Sequence, residues 1–428
     1  MLRHYHRIHH YLVSVGVLQL IYFLCSHMRY ALSLIFVLSC LYSYSQKDVK
    51  DFKGKWRGEF TIRQNLPVPF NFEISGNGMM YMLNADEKFE TGKIVIKEDS
   101  IFVPLDQFDN ELAFKIHKNI LTGELRKQDH TGTPLLVKAE KNITYRFKEN
   151  KNLPSKNISG SYDIEFTFES GNHERSVAIF KQNGKLLTGT FLKESGDARY
   201  LQGITEGNKF YLSSFIGSSP GYYTGTVNDD GTITGEQIGS RIKHSFKGKR
   251  DDNAALPDAY KKISLSERKQ LLSFSFPDAD GNIISLKDEK YKNKVLIIPV
   301  TGTWCPNCID EAAFLSPWYK KNKERGVEII TIHYERQADT AYSAKVMRRF
   351  RNRFDIQYDQ VFGGLSNSDT VRNTLNLPEF KAFPTTLFID KKGRISKIHS
   401  GYSGPATGKF YEDFIREFNE EVDRLLLE

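Results

Sequence analysis

Cysteine is scarce in this chain, with four in 428 residues. Two of them, Cys25 and Cys40, fall within residues 1 to 45, a stretch that contains Arg3, Arg7 and Arg29 but no Asp, Glu or Lys. Only Cys305 and Cys308 remain for a processed protein, which excludes the multi-disulfide framework that staples many small secreted domains. It also argues against a tetrahedral zinc site, because no second CxxC or closely spaced histidine pair supplies two further ligands. Neither a metal nor a cofactor is expected. A strong charge of one sign is missing as well: the formal excess is +8, and it falls further once the leader arginines are set aside. No nucleic acid is expected as partner, since such binders concentrate positive charge on one surface with interleaved aromatics. The one local cluster, Lys345, Arg348, Arg349, Arg351 and Arg353, shares its segment with Val346, Phe350 and Phe354 at helical spacing. It reads as the solvated face of an amphipathic helix.

Long hydrophobic runs are also lacking. Tyr11 to Cys25 and Tyr30 to Tyr44 are both short for a membrane span. Read from Met28, a basic start, the apolar Ala31 to Leu41 and the small residues near Ser43-Tyr44-Ser45 predict a secretory signal peptide cut before Gln46. Residues 1 to 27 are then translation from a start codon placed too far upstream, or part of an uncleaved anchor. Val37-Leu38-Ser39-Cys40 also resembles a lipoprotein box, imperfectly at Leu38, that would put a lipid on Cys40. Membrane contact is expected only through the leader or that lipid. His4, His6, His9 and His10 lie in the same leader and are not read as a metal site.

From residue 52 to 249 short alternating runs rich in aromatic and β-branched residues are broken by Gly, Asn and Asp clusters, which predicts an all-β region. Gly54-Lys55-Trp56-Arg57-Gly58-Glu59-Phe60-Thr61-Ile62 is echoed by Gly160-Ser161-Tyr162-Asp163-Ile164-Glu165-Phe166-Thr167-Phe168, and Asn77-Gly78 by Asn183-Gly184 at the same offset. Leu121-Thr122-Gly123-Glu124 answers Ile233-Thr234-Gly235-Glu236 at a slightly longer one. These echoes predict a duplicated β unit, each copy a barrel or sandwich, over residues 52–150 and 158–249. Trp56 and Tyr162 are expected in the core rather than as ligand platforms. A polar linker, residues 250–273, follows, with room for one short helix. From residue 274 to 428 strands alternate with helices: Val295 to Val300, a helix from Pro306, Val327 to Ile332, a helix near Tyr342 to Phe354, Thr386 to Ile389, Ile395 to His399, and a helix from Lys409 to Leu427. That alternation predicts an α/β domain.

Cys305 falls where the loop after an apolar strand passes into a helix. Its sulfur is therefore expected among unsatisfied backbone N–H groups, which favour thiolate over thiol. Cys308, three residues on and on the same side, is placed to attack a mixed disulfide formed at Cys305. Pro306 suits the first helical turn, where its missing N–H is harmless. The pair thus divides into attacker and resolver, with Cys305-Cys308 as the redox-active disulfide.

Trp304-Cys305-Pro306-Asn307-Cys308 at a strand-to-helix junction, Phe383-Pro384-Thr385-Thr386 just before a strand, Phe276-Pro277-Asp278-Ala279-Asp280-Gly281-Asn282 with Ser285-Leu286, and Asp390-Lys391-Lys392-Gly393 together resemble the thioredoxin superfamily, specifically its TlpA/ResA-like group of bacterial envelope thiol-disulfide oxidoreductases. The resemblance covers residues 274–428. It implies that Pro384 forms a cis-proline loop against the cysteines, with Trp304, Pro306, Phe383 and Thr385 beside it for substrate. It also implies that Glu311, three after Cys308, is a buried acid that takes the resolving thiol's proton. The chain departs from the pattern at Pro299, where thioredoxins carry Asp, and at Ala313, where a helix-kinking proline is common. Glu311 is therefore expected to be the only buried acid of the site. A peroxidatic cysteine would need a proline seven residues before it and Thr or Ser three before; Cys305 has Ile298 and Gly302 there. His399 is read as a structural strand-end residue.

The expected activity is reduction of disulfides in envelope proteins, in the periplasm or cell envelope, with a membrane thiol donor restoring the dithiol and the β repeats aiding client or partner selection. The alternative is a ligand- or partner-binding β protein with the thioredoxin-like domain as a redox-responsive dock.

Overall fold

The computed structural model describes residues 48–150, 156–261, 263 and 271–428. The leader, with its Met28 start, Cys25 and Cys40, and the linker residues 264–270 lie outside them. Among the described residues no helix is long and apolar enough to cross a membrane.

Residues 54–141 form a nine-stranded antiparallel sheet in which neighbours in sequence are neighbours in space, except that the first strand, Gly54–Thr61, lies between Pro67–Ile74 and the last strand, Leu135–Lys141. The alternation seen in sequence turns one face inward. Trp56, Phe60, Phe70, Phe72, Met80 and Phe114 are all buried there. Its two edge strands, Glu87–Lys93 and Val95–Lys97, also follow one another in the chain without pairing, and the sheet curls so that Glu87–Lys93 lies near Ser100–Leu105. A second nine-stranded antiparallel sheet spans residues 160–250. Here His173–Asn183 pairs with both Gly160–Thr167 and Leu186–Lys193, which closes the sheet into a barrel, and Gly196–Asp197 is attached as a short extra strand. Its interior is packed with Tyr162, Phe166, Phe180, Phe191, Phe210 and Phe246. Gly235 is required by that packing, because a Cβ there would meet the Phe246 ring at 2.3 Å. Trp56 and Tyr162 are both core residues, and each donates to a carbonyl four residues back: Trp56 Nε1 to Phe52 O at 2.9 Å, Tyr162 OH to Ile158 O at 3.1 Å.

Phe215 and Arg146 are among the residues that join the sheets. Phe215 of the second inserts edge-on against Phe60 and Phe70 of the first, with ring centroids 4.7 and 5.1 Å apart. Arg146, on the strap after Lys141, is buried and donates to Ser213 O (2.7 Å) in the second sheet, and to Asn71 Oδ1 (3.1 Å), Asn84 Oδ1 (3.2 Å) and the Leu83 carbonyl in the first.

The C-terminal domain is a five-stranded sheet: β1 (Val295–Thr301), β2 (Val327–Glu335), β3 (Asp359–Leu365), β4 (Thr385–Ile389) and β5 (Ile395–Ser400) in the order β3-β2-β1-β4-β5. β1, β2 and β3 run parallel, while β4 is antiparallel to β1 and to β5. Helices α1 (Pro306–Asn322), α2 (Thr340–Phe354), α3 (Ser368–Leu375) and α4 (Lys409–Leu427) accompany it. β1 is buried along its whole length, as its apolar run predicts for a central parallel strand. Its ladder to β2 skips Ile298 and Pro299, consistent with the N–H that proline lacks.

The two halves are in contact, and this corrects one expectation. The basic face of α2 is not simply solvated: Arg349 pairs with Asp106 (3.4 Å) and Asp109 (3.6 Å), and Arg353 donates to Glu90 O (3.0 Å) with its guanidinium 4.4 Å from the Phe89 centroid. The polar linker packs as well, with Tyr260 edge-on to His399 (4.8 Å) and Ser400 N donating to Ala259 O. His399 is buried in β5.

Replacing Arg146 by Ala strands several buried acceptors across the joint between the sheets, so a loss of about 3 kcal/mol is expected. The urea unfolding midpoint checks this; a loss below about 0.5 kcal/mol would show that the strap does not tie the sheets together.

Candidate active site

The site is built on the junction between β1 and α1. Cys305 is the N-cap of α1, with extended backbone (φ −93°, ψ 121°), and Pro306 follows in the first turn. The Cys305 sulfur accepts from the Cys308 N–H at 3.3 Å, so it occupies the place a capping oxygen would hold. The Cys305 thiol also faces the Phe383 carbonyl at 3.6 Å, and the Phe383–Pro384 peptide is cis. Both cysteines are free thiols. Trp304 is half-buried. Its Nε1 donates to Tyr334 O (3.0 Å), and its ring stands edge-on to Phe383 at 5.4 Å. Thr385 is fully buried and its hydroxyl donates within its own loop, to Ala382 O at 2.7 Å.

Cys308 is almost fully buried, and burial, reinforced by neighbouring Cys305, pushes its thiol well up. A thiol in this setting stays protonated at neutral pH and needs a base to react. Glu311, one turn on, is buried and close enough for its charge to be felt at Cys308. Burial pushes its carboxyl from 4.5 up to about 7, opposed by the hydrogen bond that Thr386 Oγ1 donates to Oε1 at 2.5 Å. Thr386 is the β4 residue opposite Pro299. The strand position where thioredoxins hold their acid thus contributes no side-chain charge, and the neighbouring strand instead supplies a donor to Glu311.

Glu311 is not the only buried acid, contrary to the sequence expectation. Glu335, at the end of β2 and fully buried, accepts from Thr303 N (3.0 Å) and Thr303 Oγ1 (2.9 Å), two residues before Cys305. Asp310 is paired with Arg199 at 2.6 Å, yet burial lifts it from 3.8 to about 6. Asp197, from the short strand of the second sheet, is lifted to about 8, first by burial and then by Asp310. Arg199 further pairs with Glu87 of the first sheet at 2.5 Å. No local signal in sequence pointed to Glu87, Gln107, Asp197 or Arg199, because each reaches the site from far along the chain. Among the described residues no group of three or more His, Cys, Asp or Glu could hold a metal ion.

The AhpC/TSA family model matches residues 268–398. The chain is 28% identical over 154 residues to the thiol-disulfide oxidoreductase ResA of Halalkalibacterium halodurans, covering 36% of this chain and 76% of that protein. It is 28% identical over 140 residues to ResA of Bacillus subtilis, covering 33% and 70%. Among solved structures, a thiol-disulfide oxidoreductase from Bacteroides fragilis superimposes with a TM-score of 0.25 at 23% identity, over 33% of this chain and 96% of that one.

Glu311 carries a pH signature. Its folded-state pKa is raised, so the folded protein keeps a proton that the unfolded chain releases between 4.5 and about 7. The stability linked to that proton is full below 4.5 and is lost as pH rises through 7. Glu311→Gln is therefore expected to leave the thermal midpoint at pH 4.5 nearly unchanged and to stabilise the protein at pH 8 by about 2 kcal/mol. An equal effect at both pH values would mean that folding does not raise the Glu311 pKa.

Proposed function

From a C-terminal region that is a TlpA/ResA-like thiol-disulfide oxidoreductase domain of the thioredoxin superfamily, we propose that this protein reduces disulfides of client proteins in the cell envelope through Cys305 and Cys308. The observation that carries the reading is Cys305 at the N-cap of α1, its sulfur bonded by the Cys308 N–H and facing the Phe383 carbonyl. The reactive form of Cys305 is its thiolate, which keeps the Cys308 N–H as a donor. That thiolate attacks one sulfur of a client disulfide, forming a mixed disulfide and releasing the other client sulfur as a thiolate that takes up a proton. Cys308 then gives its proton to ionised Glu311, and its sulfur attacks the Cys305 sulfur. The Cys305–Cys308 disulfide forms and the second client thiolate leaves and is protonated. The client gains two electrons, the pair loses two, and a membrane dithiol donor returns them.

Trp304, Pro306 and the Phe383–Pro384–Thr385 loop form the substrate side of this site. The signal expected from Met28 supports an envelope location. Selection of clients by the β half is supported by a cleft of about 340 Å³ between the barrel residues Glu165, Glu174, Glu194 and Ser195 and the loop residues Lys381 and Ala382, which lead into Phe383. We also read the two β sheets as copies of one unit. Support comes from the shared arrangement in which the first strand lies between the second and the last, with an aromatic donor bonded four residues back in each.

Cys308→Ala should leave clients covalently held on Cys305, visible as adducts that collapse with dithiothreitol, while the wild type reduces insulin. Absence of both adducts and insulin reduction would overturn the reading.

A further inference from the structure

The loop that carries the cysteines is gripped from outside its own domain. Gln107, between strands of the first sheet, donates from Nε2 to the Thr303 carbonyl at 2.8 Å. Arg199, from the second sheet, donates from Nη1 to the Pro306 carbonyl at 2.8 Å and is itself held by Glu87 and Asp310. Asn307, between the two cysteines, faces only acceptors on Asp197, which assigns its amide nitrogen to that side, donating to the Asp197 carbonyl at 3.2 Å and to its Oδ1 at 2.9 Å. The fit is close. Gly196 has φ +135°, and a Cβ there would sit 1.9 Å from the Asn307 side chain. Gly404 holds the opposite wall, where a Cβ would lie 3.2 Å from both Asp197 carboxyl oxygens and from Asp310 Oδ2. Four hydrogen bonds to groups of two β sheets therefore hold Thr303, Pro306 and Asn307.

We propose that Gln107, Asp197 and Arg199 are positioning residues of the dithiol: through Thr303, Pro306 and Asn307 they hold the redox loop in the geometry of its reduced form, so that the β half sets the redox equilibrium of the pair as well as any client preference. The inference rests on the thiol-disulfide activity proposed above and deepens it. Chemically, the bonds act on the backbone that fixes the Cys305 sulfur relative to the Cys308 N–H. Closing the disulfide removes two protons and two electrons from the pair and draws the sulfurs into bonding contact. Any bond that is better made before that contraction than after it stabilises the dithiol. Asp197 suits the task because its lifted pKa leaves the buried carboxyl largely neutral at pH 7, a hydrogen-bonding group rather than a charge opposed to a thiolate.

The test uses the full chain. Gln107→Ala and Asp197→Ala are each expected to make the pair easier to oxidise, shifting its equilibrium with glutathione by about three- to tenfold, at most roughly 30 mV toward more reducing potential. Both should also change the alkylation rate of Cys305 by iodoacetamide across pH and its rate with a small aromatic disulfide. Asp197→Asn keeps an acceptor for Asn307 and should restore the wild-type potential. A role confined to client docking would raise the KM for protein disulfides and leave these readouts unmoved. Folded variants whose potential and alkylation rate stay within twofold of the wild type would overturn the proposal. If Asp197→Ala does not fold, half-buried Gln107 decides, since its one side-chain bond to the loop is removed without baring a charge. Wild-type failure with insulin would sink the client-reduction reading, whereas the potential and alkylation assays judge positioning by themselves.

Discussion

The turn between β1 and α1 depends on one buried carboxylate. Glu335, fully enclosed at the end of β2, takes both the N–H and the hydroxyl of Thr303. Two donors from one residue on one carboxyl group fix that residue's backbone and side chain together. Those bonds tie the C-terminal ends of two adjacent parallel strands together where the chain must leave the sheet and start a helix. Cys305 can serve as N-cap only if that departure angle is kept, and the approach of Phe383 to its sulfur depends on it in turn. The site is thus anchored to the most buried strand of the domain, with β1 enclosed along its length.

Around that anchor the two sulfurs occupy different surroundings. Cys308 and Glu311 lie on the inner face of α1, where burial raises both acids, whereas Trp304 and Pro306 keep part of their surface. Beside the cysteines one buried cation is matched by charge. Arg199 stands between Glu87 and Asp310, so its positive charge is never left alone. Asp197, beyond that trio, is raised by burial and by Asp310 more than Arg199 lowers it, and keeps its proton to about pH 8.

Much of this was legible in the sequence wherever residues near in the chain cooperate. The apolar run of β1, the Cys305-Pro306 helix start and the closing helix Lys409–Leu427 follow from local pattern. The strand β3 did not, because Gly363 and Gly364 dilute its apolar signal; Gly363 is there so that Tyr334 can lie across it, a Cβ being 2.6 Å from that ring. The helix α3 was missed for a similar reason, being only eight residues long with two buried, Val371 and Leu375. The role of the α2 arginines was hidden by their spacing, which looks the same whether water or a β sheet lies opposite. Glu335, Asp197 and Arg199 carry no motif: their meaning lies in partners 32 and 107 positions away, and one sequence does not record such pairings.

The bond between Gln107 and Thr303 spans 196 positions. A contact of that separation exists only when the first sheet and the C-terminal domain are both folded and in place against each other. The second barrel, by contrast, can close on pairings within residues 160–250. The full setting of the cysteines therefore requires both β sheets as well as their own domain. Maturation of the enzyme and completion of its fold are, for this protein, one event.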